Sequence, residues 1–121
     1  MNSQKCYALL IEKPKTFEES ERYCETIGGT LVSFSSENEF KILKGRHSKK
    51  KFWIGLKQVN EDWEWMDTTA IVYSQWKERN VTRDVFKDQK CMFVSGTGDW
   101  HRENCEKKLY FLCKFNRMRL T

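Results

Sequence analysis

Five cysteines, at positions 6, 24, 91, 105 and 113, constrain this chain more than any other feature, because cross-links among them decide which segments must meet. The last three are clustered and could close a short loop, while Cys24 could tie an early helix to the last strand. No Cys-x-x-Cys occurs and none of the five is spaced as a zinc ligand pair. Between them stand two tryptophan phrases, Phe52-Trp53-Ile54-Gly55-Leu56 and Trp63-Glu64-Trp65-Met66-Asp67. Cys91 and Cys113 adjoin strand-like apolar runs, Cys91-Met92-Phe93-Val94 and Tyr110-Phe111-Leu112-Cys113, and Asn80-Val81-Thr82 is a glycosylation acceptor in a polar stretch. Together these features favour oxidising surroundings and a disulfide-pinned domain outside the cell.

With 121 residues, the chain is about one domain long, and residues 1–121 are read as one unit. No run of some eighteen apolar residues exists, and Met1-Asn2-Ser3-Gln4-Lys5 lacks the apolar segment of a signal peptide, so the chain is read as a trimmed fragment. Net charge is +5, from 22 basic and 17 acidic residues. The excess is local: Lys41, Lys44, Arg46, Lys49, Lys50 and Lys51 crowd one stretch, and Lys114, Arg117 and Arg119 crowd the end, whereas Glu18, Glu19, Glu21 and Glu25 make an early segment acidic. Lys49, Lys50 and Lys51 read either as a solvated loop or as a patch for an anionic partner such as a heparin-like polyanion. Two histidines, His47 and His101, and no nucleophile with a base and an orienting group argue against an enzyme. Lysines without interleaved aromatic residues argue against nucleic acid.

Thr16 with Glu19, and Ser36 with Glu39, have the capping-box spacing and predict two helix starts. The first helix carries Phe17, Tyr23, Cys24 and Ile27 and stops at Gly28-Gly29; the second carries Phe40, Ile42 and Leu43 and stops near Gly45. Strands are predicted at 6–11, 31–34, 52–56, 63–66, 91–94 and 109–114. Trp53, Trp63 and Trp65 are assigned to core or near-core packing, with indole N–H groups that need partners. Residues 68–90 form a long polar stretch of weak periodicity, the kind of loop that is functional or disordered when it interrupts a compact domain.

This order of elements resembles the C-type lectin-like domain family over Cys6 to Lys114. The resemblance rests on the Cys24 helix followed by Gly29-Thr30-Leu31-Val32, on Trp53-Ile54-Gly55-Leu56, on Trp63-Glu64-Trp65-Met66-Asp67 before the long loop, on Gly98-Asp99-Trp100, and on Cys105 eight residues before Cys113. It implies an α+β fold, two helices flanking antiparallel sheets with a long loop region, and the disulfides Cys24 with Cys113 and Cys91 with Cys105. On the chain-entropy account, the longer loop is worth about 4.5 kcal/mol and the shorter about 3 kcal/mol. Cys6 resembles half of the family's N-terminal hairpin bridge, truncated here, and is left unpaired or available for an inter-chain bond and a homodimer. Residues 115–121 are a tail.

Sugar-binding members of the family hold calcium with a Glu-Pro-Asn phrase, a glutamate two residues before the third core cysteine, and a Trp-Asn-Asp phrase. Here Glu78-Arg79-Asn80, Gln89 and Trp100-His101-Arg102 stand in those places, so the expectation is no metal and no cofactor. Trp76, Arg79, Lys87, Lys90, His101 and Arg102 are the candidate ligand-binding residues, and Asn80 the candidate glycosylation site. Trp76 and Trp100 are read first as packing residues of the loop region. Phrases such as Ser36-Glu37-Asn38-Glu39-Phe40 and Cys105-Glu106-Lys107-Lys108-Leu109-Tyr110 resemble the calcium-independent branch, which includes natural killer cell lectin-like receptors. That resemblance implies the ectodomain of a type II immune cell-surface protein that recognises a protein ligand on another cell. The alternative is a secreted lectin that binds carbohydrate or an anionic glycosaminoglycan.

Overall fold

The computed structural model describes residues 6–46, 50–60, 62–68, 88–96 and 98–116. In chain order these form β1 (Cys6–Lys15), α1 (Phe17–Thr26), β2 (Thr30–Leu31), α2 (Glu37–Arg46), β3 (Phe52–Val59), β4 (Asp62–Trp65), β5 (Cys91–Val94), β6 (Trp100–Glu103) and β7 (Leu109–Asn116). The main sheet runs β1-β7-β3-β5-β6, with β2 added to β7 and β4 to β3. Neighbours are antiparallel except for β3 and β7, which run parallel with Phe52 beside Tyr110 and Trp53 beside Phe111.

The central strands are apolar on both sides, as a sheet covered on both faces requires. Alternate residues enter two cores because successive side chains of a strand point to opposite faces. Phe52, Ile54 and Leu56 of β3, Met92 and Val94 of β5, Trp100 of β6 and Leu112 of β7 join Val32, Phe34, Phe40 and Trp65 in one core. Trp53, Cys91, Phe93, Phe111 and Cys113 join Ile11, Phe17, Cys24 and Leu31 in the other. The first core is an aromatic cage around Trp100, with Phe34, Phe40 and Trp65 rings at 5.6–5.8 Å. In the second, Phe17 packs edge-on against Trp53 at 5.6 Å, and the Trp53 indole donates to the Lys15 carbonyl at 3.0 Å.

The first helix starts as its spacing predicts. Thr16 Oγ1 accepts from the Glu19 amide at 3.2 Å, and the Glu19 carboxylate accepts from the Thr16 amide at 3.1 Å. At the other end, Gly28 at φ 94° takes the left-handed turn, and the Gly28 and Gly29 amides close on the Glu25 and Cys24 carbonyls. The helix ends at Thr26, which leaves Ile27 as an exposed cap residue instead of the buried position the periodicity suggests.

The second capping box forms only in part. Ser36 Oγ accepts from the Glu39 amide at 3.0 Å, but the Glu39 carboxylate turns to the Ser35 amide at 2.9 Å and to Lys114 Nζ at 2.8 Å. Lys114, mostly buried, also donates to the Ser33 carbonyl at 3.0 Å, and Ser33 Oγ donates to Asp67 at 2.6 Å. This network joins α2, β7 and the end of the Trp63–Asp67 phrase. Burial opposes ionisation of Glu39, yet the hydrogen bonds from Lys114 and Ser35 outweigh it and hold the carboxyl below its ordinary value of 4.5. A depressed folded-state pKa gives stability that is complete above the unfolded value and lost as the pH falls through the folded one. Thermal melting followed from neutral pH down to below 4.5 is expected to show acid destabilisation that Glu39→Gln reduces in slope. An unchanged slope in that variant would assign the acid sensitivity to other groups.

Several boundaries depart from the sequence pattern for identifiable reasons. The first strand continues past Ile11 through Pro14 to Lys15, because β1 is an edge strand and a register shift between Ile11 and Lys15 accommodates the proline. The second helix runs through Gly45 to Arg46. The β6 strand, Trp-His-Arg-Glu, lacks a strand-like composition and is formed by pairing with β5 across the Ser95–Asp99 turn, where the Ser95 amide bonds the Asp99 carbonyl at 2.9 Å. Gly55 sits where β3 passes the chain after β2. A Cβ there would meet the Leu31 carbonyl at 3.0 Å and the Val32 carbonyl at 3.2 Å, so the Trp-Ile-Gly-Leu phrase needs its glycine for this close approach.

Candidate functional site

Both disulfides belong to the second core, with Cys105 packed against it from a partly buried position. Cys24–Cys113 ties α1 to β7, with Cα atoms 5.5 Å apart, and both sulfurs are fully buried. Cys91–Cys105 joins the start of β5 to the turn after β6, with Cα atoms 5.2 Å apart. The Cys105 carbonyl accepts from the Phe17 amide at 3.0 Å, which fixes this turn against the start of α1. Cys6 enters β1 opposite Asn116.

The long polar stretch departs after Thr68 and returns at Asp88, and residues 69–87 lie outside the described residues. Its two ends are anchored differently. The departing end is held by the Ser33–Asp67 bond and by the Thr68 amide on the Trp65 carbonyl at 3.0 Å. The returning end is held to β3 by the Gln58 amide, which donates to the Lys90 carbonyl at 2.8 Å.

Arg102 completes that second anchor. The β3–β4 hairpin, turned by Asn60 at φ 58°, places Trp63 opposite Gln58. Arg102 Nε donates to the Gln89 carbonyl at 3.3 Å, an Nη donates to Gln58 Oε1 at 3.1 Å, and the guanidinium lies 5.1 Å from the centre of the Trp63 ring. A planar cation with several fixed donors suits this combination of two carbonyl oxygens and an aromatic face. The result is a half-buried surface of Gln58, Trp63, Gln89 and Arg102, with Lys90 exposed at its rim.

The candidate residues of the sequence are therefore divided. His101 and Arg102 are adjacent on β6 and point to opposite faces of it. Arg102 lies with Trp63 on the side of the first core, whereas His101 stacks on Phe93 of the second at 5.4 Å. Trp100 is fully buried in the first core, as its packing assignment anticipates. Trp76, Arg79, Asn80, Lys87 and Lys49 lie outside the described residues. Lys50 and Lys51 are exposed ahead of β3, at the Phe52 end of the strand rather than the Gln58 end. Gln58 and Trp63 were not candidates for the site on sequence grounds. Their role depends on the hairpin register, which no local motif encodes. Among the described residues, no group of three His, Cys, Asp or Glu side chains is arranged to hold a metal ion.

A Lectin C-type domain model matches residues 13–115, so the chain belongs to the C-type lectin domain family. The human secretory phospholipase A2 receptor is 30% identical over 120 residues, which are 94% of this chain and 8% of that protein. Mouse tetranectin is 33% identical over 117 residues, 88% of this chain and 58% of tetranectin. The chain thus spans a small part of the receptor and little more than half of tetranectin. Among solved structures, the carbohydrate-recognition domain of cow CD23, determined in the presence of a GlcNAc2Man3 oligosaccharide, superposes with a TM-score of 0.80 at 26% identity, covering 100% of this chain and 92% of that one. The mouse scavenger receptor C-type lectin carbohydrate-recognition domain superposes with a TM-score of 0.82 at 22% identity, covering 98% and 95%, a likeness of fold. C-type lectin domains bind carbohydrates or proteins and are not typically enzymes.

Proposed function

We propose that this domain is a calcium-independent recognition module of an extracellular protein, the ectodomain of an immune cell-surface receptor or ligand, and that it binds a protein partner. The observation that carries the reading is the placement of Arg102. In the family's sugar-binding pattern its position belongs to an oxygen ligand of calcium, and Gln89 stands in the place of a glutamate. Here Arg102 directs a permanent positive charge and only N–H donors at the Gln89 and Gln58 oxygens. A calcium ion requires six to eight oxygens and is repelled by a guanidinium, so this donor set does not fit it. Arg102 instead holds the returning end of the long stretch with hydrogen bonds and its contact with the Trp63 ring.

The arrangement also suits a protein ligand. Tryptophan with arginine, half-buried and rimmed by an exposed lysine, is the composition of a protein–protein hot spot. Lys90, Trp63 and Arg102 form its described part, and Trp76, Arg79 and Lys87 of the long stretch are proposed to extend it. His101, on the opposite face of β6, belongs to a separate surface.

Binding of the labelled domain to cells provides the test. Staining is expected to survive chelation of divalent ions and enzymatic removal of glycans, and to be abolished when target cells are treated with protease. Trp63→Ala is expected to weaken it by at least about 2 kcal/mol, the size of a hot-spot loss. Staining that a chelator abolishes, or that disappears with the glycans, would replace this reading with that of a carbohydrate-binding lectin.

A further inference from the structure

At the end of the sheet away from Arg102, a cleft of about 250 Å³ is lined by Pro14, Lys50, Lys51, Lys108, Leu109 and Tyr110. Its elements come together because β3 and β7 run parallel, which puts their first residues side by side, while antiparallel β1 delivers its last residues to the same edge. Sequence alone shows three consecutive lysines in one loop. The fold adds Lys108 from the turn before β7, and no carboxylate lines the cleft among the described residues. Phe52 at this end and Gln58 at the other are six residues apart on β3, roughly 20 Å of strand.

We propose that this cleft is a binding site for sulfated polysaccharide, independent of the protein-recognition surface around Arg102. Its volume is below the roughly 300–1,000 Å³ of pockets that enclose a small molecule, and it is open, so it fits one unit of a chain that continues past it. Pro14, Leu109 and the Tyr110 ring offer apolar surface to the carbon face of a sugar. The charges are all lysines, whose flexible stems and rotating donors can follow sulfate groups spaced along a chain.

The neighbouring acids leave the cations available. Lys50 is paired with Glu12 at 3.3 Å, but both side chains are about half exposed and such a pair is readily exchanged for a stronger anion. Glu19, whose charge reaches Lys108 and Lys15, is held by the Thr16 amide as a helix cap and does not line the cleft. Lys50 stands 5.7 Å from the centre of the Tyr110 ring, which lines the cleft, and Lys51, itself a lining residue, stands 5.8 Å from that of Phe93, which does not. Lys13 and Lys15, over Tyr23, prolong the positive surface beyond Pro14 and give a longer chain further contacts. An anionic membrane is disfavoured because the exposed large apolar residues, Leu9 and Ile27, do not line the cleft.

Fluorescence anisotropy with a labelled heparin octasaccharide at about 0.15 M salt tests the assignment. The variant Lys51→Glu/Lys108→Glu is expected to bind at least about tenfold more weakly, whereas Arg22→Glu/Lys41→Glu, with the same change in net charge at exposed positions that do not line the cleft, stays within about twofold of the parent. Melting curves of both variants verify folding, and all four substituted side chains are exposed. Desulfated heparin, a single-stranded oligonucleotide and phosphatidylserine vesicles are expected to bind less well than the octasaccharide. Equal losses in the two variants would show that the attraction is only net charge and overturn the site. Tighter binding of the oligonucleotide or the vesicles, or no measurable binding of the octasaccharide, would overturn the ligand class. None of these outcomes bears on the calcium-independent surface, which is read out by cell binding.

Discussion

Replacing Cys24 and Cys113 together by serine is expected to remove about 4–5 kcal/mol of stability and to prevent folding at about 37 °C. The bridge spans a sequence separation of 89, so its loss restores a large ensemble to the unfolded chain. A second effect adds to this one. Both cysteines are fully buried in the second core, so two serine hydroxyls would enter an apolar environment beside Ile11, Phe17 and Phe111. The whole margin of a domain this size is about 5–15 kcal/mol, which makes the bridge a large fraction of it. The corresponding change at Cys91 and Cys105, with a separation of 14, is expected to cost about 3 kcal/mol and to loosen chiefly the β5–β6 hairpin. Circular dichroism melting of the two double variants measures both. Equal melting temperatures for the parent and the Cys24/Cys113 variant would contradict the role given to that bridge.

Trp100→Ala is expected to cost about 3–5 kcal/mol, because a fully buried indole surrounded by Phe34, Phe40 and Trp65 leaves a cavity that rigid aromatic neighbours fill poorly. The same experiment separates packing from binding. A ligand-contact tryptophan would give a variant of nearly parental stability that has lost its partner, whereas this one is expected to lower the melting temperature by at least about 10 °C. Urea denaturation gives the free energy directly, and a change below about 1 kcal/mol would place Trp100 outside the core.

Much of the fold was legible because the patterns that specify it are local. The Thr16–Glu19 box and the Gly28-Gly29 stop delimit α1 to within a residue, and the Cys-Met-Phe-Val run coincides with β5. What escaped the sequence is what depends on partners. Glu39 leaves its capping box for Lys114, a residue distant in sequence, and β6 exists because β5 and a disulfide hold it in place. The same holds for the site. Arg102 was a candidate from its place in a motif, but its neighbours Gln58 and Trp63 are brought to it by the register of a hairpin. His101, next to it in sequence, is carried to the other face by the pleat. The lysine run at 49–51 was visible as charge, and Lys108 joined Lys50 and Lys51 only through the parallel pairing of β3 with β7.

Differential scanning calorimetry of the domain in millimolar calcium and in excess chelator tests the central claim most directly. With Arg102 held between the Gln89 and Gln58 oxygens, the two melting temperatures are expected to coincide. An ion bound at a hundred times its dissociation constant would add about 2.7 kcal/mol and raise the transition by several degrees, and that result would contradict the account.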